Sequence, residues 1–214
     1  MSIDFNFLLI SFTGLLAILD PLAVVPVYLA LFGDADAKQK KIVARTAAIA
    51  VVVTLLFFMT IGAQLLQFLG ITLPAFRIAG GIIIVGMALE MLGGSMSRVK
   101  RDEGCEDYSD LHSFAIVPLA IPLLSGPGAM STAIVLSQKA PSFADRVGLF
   151  VIVVILGFIV WGVLSVAEQA QRLFGKTGIR IATRIMGLLL AALGVQFIAS
   201  GVTELFPALV GAKP

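Results

Sequence analysis

The sequence predicts an all-α membrane protein of six transmembrane helices. They form two inverted three-helix repeats, with the first and fourth helices interrupted at the midplane. Three observations predict this. The 214 residues are 59% hydrophobic and only 13% charged, with a mean hydropathy of +1.05, whereas soluble domains carry about 25% charged residues. Apolar runs long enough to cross a bilayer recur six times between short polar stretches. Two of those runs, "ILDPLAVVPV" and "LSGPGAMS", carry a helix-start signature in their middle.

The six runs are 7–32, 42–69, 74–92, 114–136, 147–167 and 181–206. The first begins after a segment whose first charge is Asp4, and it is too long for the core of a signal peptide, so it reads as a retained span. "GDADAKQKK" separates it from the second. The second and third are joined by "LGITLP", where Pro74 suits a helix start. "GSMSRVKRDEGCEDYSDLH" follows the third and "KAPSFADR" the fourth. No run of residues is left over for a soluble domain, so 1–214 reads as a single membrane domain. Repeat one covers about 1–97, a linker about 98–112 and repeat two about 113–214.

Orientation follows from Lys and Arg near the span ends. Eleven of the fifteen fall on one side: Lys38, Lys40, Lys41, Arg45, Arg98, Lys100, Arg101, Arg172, Lys176, Arg180 and Arg184. Arg77, Lys139, Arg146 and Lys213 fall on the other. The bias predicts a multi-pass protein of the cell (inner) membrane with both termini outside. Its loops at about 33–41, 93–112 and 168–180 are then cytoplasmic. The single cysteine, Cys105, then sits on the reducing side, and no internal disulfide can form. A net charge of +2 gives no reason to expect nucleic acid.

The repeat is legible as two matches at nearly one offset. "FRIAGGIIIVGMALEM" resembles "TRIMGLLLAALGVQFI", a displacement of 107 residues from Arg77 to Arg184. "DPLA" falls on "GPGA", a displacement of 106 residues from Asp20 to Gly126. Three spans per half is an odd number, so the second half enters from the opposite face, as in many secondary transporters. Chance similarity among Gly- and Leu-rich helices is the competing reading.

Asp20 followed by Pro21 is an N-cap and N1 pair in the middle of an apolar run. Pro21 cannot continue a helix through that point. The pair predicts a break before Asp20 and a new half-helix over 21–32, kinked at Pro26. In the fourth run Ser125 or Gly126 can cap, Pro127 suits N1, and Gly126 and Gly128 permit unwound backbone. Pro118 and Pro122 loosen the half before it. Two half-helix N-termini facing each other present free N–H groups and partial positive charge, which suit a carboxylate. Asp20 has two compatible readings: a cap for its own half-helix, or a ligand for an ammonium, a cation or a proton. The predicted binding residues are Asp20, Pro21, Ala23, Val24, Ser125, Gly126, Pro127, Gly128 and Ala129. Thr60 and Gln64, one turn apart, are secondary candidates that suit interhelical packing inside the bundle. Arg77 and Arg184 are further candidates, either snorkelling to the interface or locking the halves together.

These residues resemble the MarC family of six-span inner-membrane proteins. The resemblance rests on Asp20-Pro21, "LPAFRIAGG", "VPLAIPLLSGPGAMST" and "RIMGLLLAALGVQFIASG", and covers nearly the whole chain. It implies a distant relation to amino-acid exporters of the LysE type and, for some members, transport of small neutral amino acids such as glycine and alanine. Where many relatives carry Asp-Pro-x-Gly-Asn-x-Pro, this chain has Ala23 and Val24 in place of Gly-Asn, which makes the expected site more apolar.

The expected function is therefore secondary transport of a small neutral amino acid, coupled to a proton, sodium or the substrate's own gradient, or export. The expected partners are that solute and the lipid bilayer, and the sequence leaves room for a homo-oligomer. No cofactor, metal or enzymatic activity is expected: the one histidine, His112, falls in a loop. A scaffold without flux, or an exporter of another small solute, are the rival readings.

Overall fold

The computed structural model describes residues 4–33, 35–93 and 115–207. The expected linker at 98–112, with Cys105, His112 and its basic cluster, lies outside them. The first span is α1 (Phe5–Leu19) and α2 (Pro21–Phe32). The second is α3 (Ala37–Phe57), a π-helical turn (Phe58–Gly62) and α4 (Ala63–Phe68). The third is α5 (Leu73–Gly93), after which come a π-helical segment (Ala115–Leu124), α6 (Pro127–Lys139) and α7 (Phe143–Leu205).

The secondary structure of the described residues is helical, with no strand among them. Five stretches are long and apolar enough to cross a membrane: Phe5–Phe32, Ala37–Phe68, Leu73–Gly93, Phe143–Ala167 and Thr177–Leu205. The fourth expected run, 114–136, is divided between the π-helical segment and α6. These have 10 and 13 residues, separated by the non-helical Ser125 and Gly126, and the run is not among the five stretches. The last two spans are the arms of α7. The expected connection at 168–180 is a kink between two helices at Gly175 (φ 62, ψ 176), with helical residues on either side of it in place of an extended loop. Arg, Lys and Gln are good helix formers, so the polar stretch stays helical. Only glycine adopts the Gly175 backbone without strain.

Local chemistry starts the helices where their ends need partners. Asp4 caps α1, accepting from the Phe7 N–H at 3.0 Å. Asp36 and Gln39 form a reciprocal capping box at α3. Ser142 caps α7 through the Asp145 N–H at 3.2 Å. The buried Asp145 carboxylate also accepts from the Asp4 N–H at 2.9 Å and the Ser142 hydroxyl at 2.7 Å. It thereby ties the start of α1 to the start of α7.

The buried core is built chiefly by α1, α2, α3, the π-helical segment, α6 and the first arm of α7, while the second arm of α7 runs antiparallel to α5 in a separate close contact. Gly187, Gly194 and Gly201 recur every seven residues, and so stay on one helix face. Methyl groups added there would fall 3.2 Å from the Ala88 carbonyl, 2.8 Å from that of Gly81 and 2.8 Å from that of Pro74. The two backbones are in near contact, which is how helices associate where lipid removes the hydrophobic drive. Gly194→Val puts atoms against a backbone that cannot yield. It is expected to cost about 1–3 kcal/mol and to lower the unfolding midpoint in detergent by roughly 2–12 °C. Gly86, with open space around it, should accept alanine with an unchanged or higher midpoint.

Candidate functional site

The two interruptions predicted from Asp20-Pro21 and Gly126-Pro127 are both present. Asp20 has left-handed backbone (φ 35, ψ 64) and is the one non-glycine residue with positive φ among those described. Asp tolerates this conformation better than most residues. Its N–H closes α1 on the Leu16 carbonyl at 3.0 Å, and its Oδ1 accepts from the Ala23 N–H at 3.3 Å. One residue thus ends α1 and begins α2. Pro21 occupies N1, where no N–H is needed. Pro26 sits inside α2, and its carbonyl accepts from the Thr183 hydroxyl at 3.2 Å, a proton shared with the Ile179 carbonyl.

The second interruption follows the π-helical segment. Ser125 closes it: its N–H and hydroxyl both donate to the Ala120 carbonyl, at 2.8 and 2.9 Å. Gly126 is extended (φ −63, ψ 172) and heads α6 with no side-chain cap, with Pro127 at N1. Residues Ser125 to Met130 are all buried. The first turn of α6 is therefore an uncapped helix N-terminus inside the bundle, carrying partial positive charge.

Neighbouring helices close tightly on this end. A methyl on Gly80 of α5 would lie 1.9 Å from Pro127, and one on Gly128 would lie 2.2 Å from the Phe197 ring. Pro127 thus seats on α5, and Phe197 of α7 covers Gly128. One turn further along, Arg77 donates from Nε to the Ser131 hydroxyl at 3.1 Å and forms an ion pair with Glu204. The Ser131 hydroxyl donates in turn to the Gly128 carbonyl at 3.0 Å. Arg77 therefore links the third span, α6 and the end of α7, whereas Arg184 is exposed.

The broken spans lie along one another. α1 packs against α6, and α2 packs against the π-helical segment. Antiparallel neighbours of this kind bring both breaks to one level. The two ends differ in access: Gly126 and its neighbours are buried, while the Asp20 side chain is exposed, with Pro21 and Val24 buried beneath it and Ala23 half-buried. Thr60 and Gln64 are exposed too, on the outer side of the second span instead of its interior face. The Thr60 hydroxyl bonds back to its own helix, at the Leu56 carbonyl, 2.8 Å away. Two clefts lie elsewhere. One of about 390 Å³ runs between α4, the 70–73 turn and α6; the other, of about 460 Å³, runs between α3 and the first arm of α7.

Glu204, Ser131 and Phe197 escape a reading of the sequence by motif. The seven-residue glycine spacing could have found Glu204, because it sets the register that brings Glu204 beside Arg77.

Apolar spans broken at mid-length around an uncapped helix end define a multi-pass integral membrane protein. Its residues 5–206 match the model of the MarC family integral membrane proteins, and the chain belongs to that family. It is 35% identical over 208 residues to the UPF0056 membrane protein YhcE of Escherichia coli, covering 97% of each chain. A UPF0056 membrane protein of Pyrococcus horikoshii is 37% identical over 199 residues, covering 92% of this chain and 95% of the relative. One from Methanocaldococcus jannaschii is 33% identical over 199 residues, covering 93% and 97%. No solved structure matches the chain.

The contact between Phe197 and Gly128 gives a direct test of the geometry. Gly128→Ala is expected to destabilise the protein by about 1–3 kcal/mol. In a Phe197→Ala background the same change should cost less than about 1 kcal/mol, a coupling that a double-mutant cycle in detergent unfolding measures.

Proposed function

We propose that the chain is a secondary transporter of a small neutral amino acid, glycine- or alanine-like, in the inner membrane. The observation that carries this reading is the pair of half-helix starts, Asp20-Pro21 and Gly126-Pro127, at one level of the bundle. Discontinuous helices meeting in this way are how many secondary transporters build a midplane site. A zwitterion needs an anion for its ammonium and donors for its carboxylate. The exposed Asp20 supplies the first, or takes a coupling proton. The N–H groups of Gly128 and Ala129 supply the second, with Arg77 adding positive charge one turn away. In the present conformation Phe197 covers this end, so the second arm of α7 must draw back for the carboxylate to enter.

Inverted repeats give this motion a frame. Arg77 of the third span reaches Ser131 of α6, and Thr183 of the last span reaches Pro26 of α2. The donors are displaced by 106 residues and the acceptors by 105, which supports a repeat of about 1–97 on about 113–214. The fourth run, as the π-helical segment plus α6, then completes six spans. Both termini lie outside, with the three basic connections, the last of them the kink at Gly175, in the cytoplasm. No ATP-binding motif occurs in the sequence, so coupling is to an ion, a proton or the substrate gradient. Tight packing of Ser125 to Met130 is the feature that favours a scaffold without flux, and a flux measurement separates the two readings.

Saturable uptake of glycine or alanine into proteoliposomes is the expected result. Asp20→Asn keeps a cap and removes the charge. With a charge-assisted contact worth about 1.5–3 kcal/mol, uptake should fall about ten-fold or more. Absence of saturable flux for every amino acid tested would refute the transporter reading, and undiminished flux in Asp20→Asn would leave that residue only its capping role.

A further inference from the structure

A groove of about 460 Å³ runs between α3 and the first arm of α7. The helices touch at Gly157, where an added methyl would fall 2.2 Å from Val52. Flanking side chains hold the groove open, and its walls are apolar except at one end: Ile49, Val52, Val53 and Val154 lead up to Phe158, Trp161 and Arg45. From Arg45 to Val53 the wall is about 12 Å long at 1.5 Å per residue, enough to receive part of an acyl chain. The Arg45 guanidinium has no hydrogen-bond or ion-pair partner among the described residues.

Depth places that cation at the membrane boundary. Ala37–Phe68 has 32 residues, about 48 Å of helix against about 30 Å of hydrocarbon. The surplus belongs at the Ala37 end, where Lys38, Lys40, Lys41 and Arg45 are followed by no charge until Arg77. Arg45 is therefore the last charge before the hydrocarbon. Lys41 lies one turn before it on the same helix face. Trp161, at the same end of the groove, is a residue type that favours the headgroup level.

We infer that this groove binds an anionic phospholipid, with its phosphate on Arg45 and an acyl chain between α3 and α7. Basic pockets between spans on the cytoplasmic side are where anionic headgroups are held. The proposed orientation places Arg45 in that leaflet, and nothing else in the inference depends on transport. Failure of uptake would leave it standing.

Trp161 is the sole tryptophan and lines the groove, so its fluorescence reports the occupant. In vesicles of phosphatidylcholine doped with one brominated lipid, brominated phosphatidylglycerol should quench Trp161 at about a five-fold lower mole fraction than brominated phosphatidylcholine. Arg45→Gln should bring the ratio close to one, and Arg45→Lys should keep most of it. Should Arg45→Gln fail to fold, wild-type protein in 1 M salt, where the Debye length is about 3 Å, should lose most of the preference. Equal quenching by the two lipids in wild type, a preference unchanged by Arg45→Gln or by salt, or a Trp161 shielded from both lipids by a second copy of the chain would each overturn the proposal.

Discussion

A helix that stops half-way across a bilayer leaves backbone donors where no bulk water can satisfy them. In hydrocarbon each such group costs several kcal/mol, so broken backbone persists only where protein covers it or a cavity wets it. The described residues include two such stops, and much of the architecture answers them. At Asp20 a side chain satisfies a donor of α2 directly. At Gly126 no side chain does so, and protein is packed over the end instead: Pro127 on Gly80 and Phe197 on Gly128. A methyl group at Gly80 or Gly128 would prevent that closure, and one at Gly81, Gly187, Gly194 or Gly201 would part the second arm of α7 from α5, which carries Gly80.

The two answers give the two breaks different properties. A capped end exposed at the bundle surface can exchange a proton or meet a cation. An uncapped end under a ring keeps its partial positive charge while the ring shuts it off from its surroundings. Arg77 stands between these roles. Paired with Glu204 and bonded to Ser131, it fixes α5, α6 and the end of α7 together while keeping positive charge near the α6 N-terminus. The Asp4–Asp145 tie does a related job at the far end of α1, fixing that helix to α7.

The breaks were legible in the sequence because they are local chemistry. Asp before Pro and Gly before Pro are caps before N1, and neither depends on the rest of the fold. The antiparallel pairing of α5 with α7 could not be read in this way: the similarity of "FRIAGG" to "TRIMGL" suggests a repeat, and only the structure shows that the two segments touch. What could not be read depends on neighbours distant in the chain. Thr60 and Gln64 have the spacing of an interior pair, but which side of a helix is covered depends on what packs there. The π-helical stretches at Phe58–Gly62 and Ala115–Leu124 shift backbone bonding without a residue signature, although Pro118 and Pro122 withhold donors in the second. The polar stretch around Gly175 does mark the junction of the last two spans, but as a kink between helices, since Arg, Lys and Gln are content in a helix.

A carboxylate at mid-span serves a solute only if water and the solute can reach it, and Asp20 is exposed at the first break. The chain has a single cysteine, Cys105, so a Cys105→Ser background can carry one reporter at a time. The decisive measurement is the rate at which a water-soluble, charged thiol reagent modifies Asp20→Cys in membranes, compared with Leu22→Cys on the exposed apolar surface. Rapid modification at position 20, slowed by glycine or alanine, and little at position 22 is the expected result. A position 20 as unreactive as position 22, with or without amino acid, would contradict it.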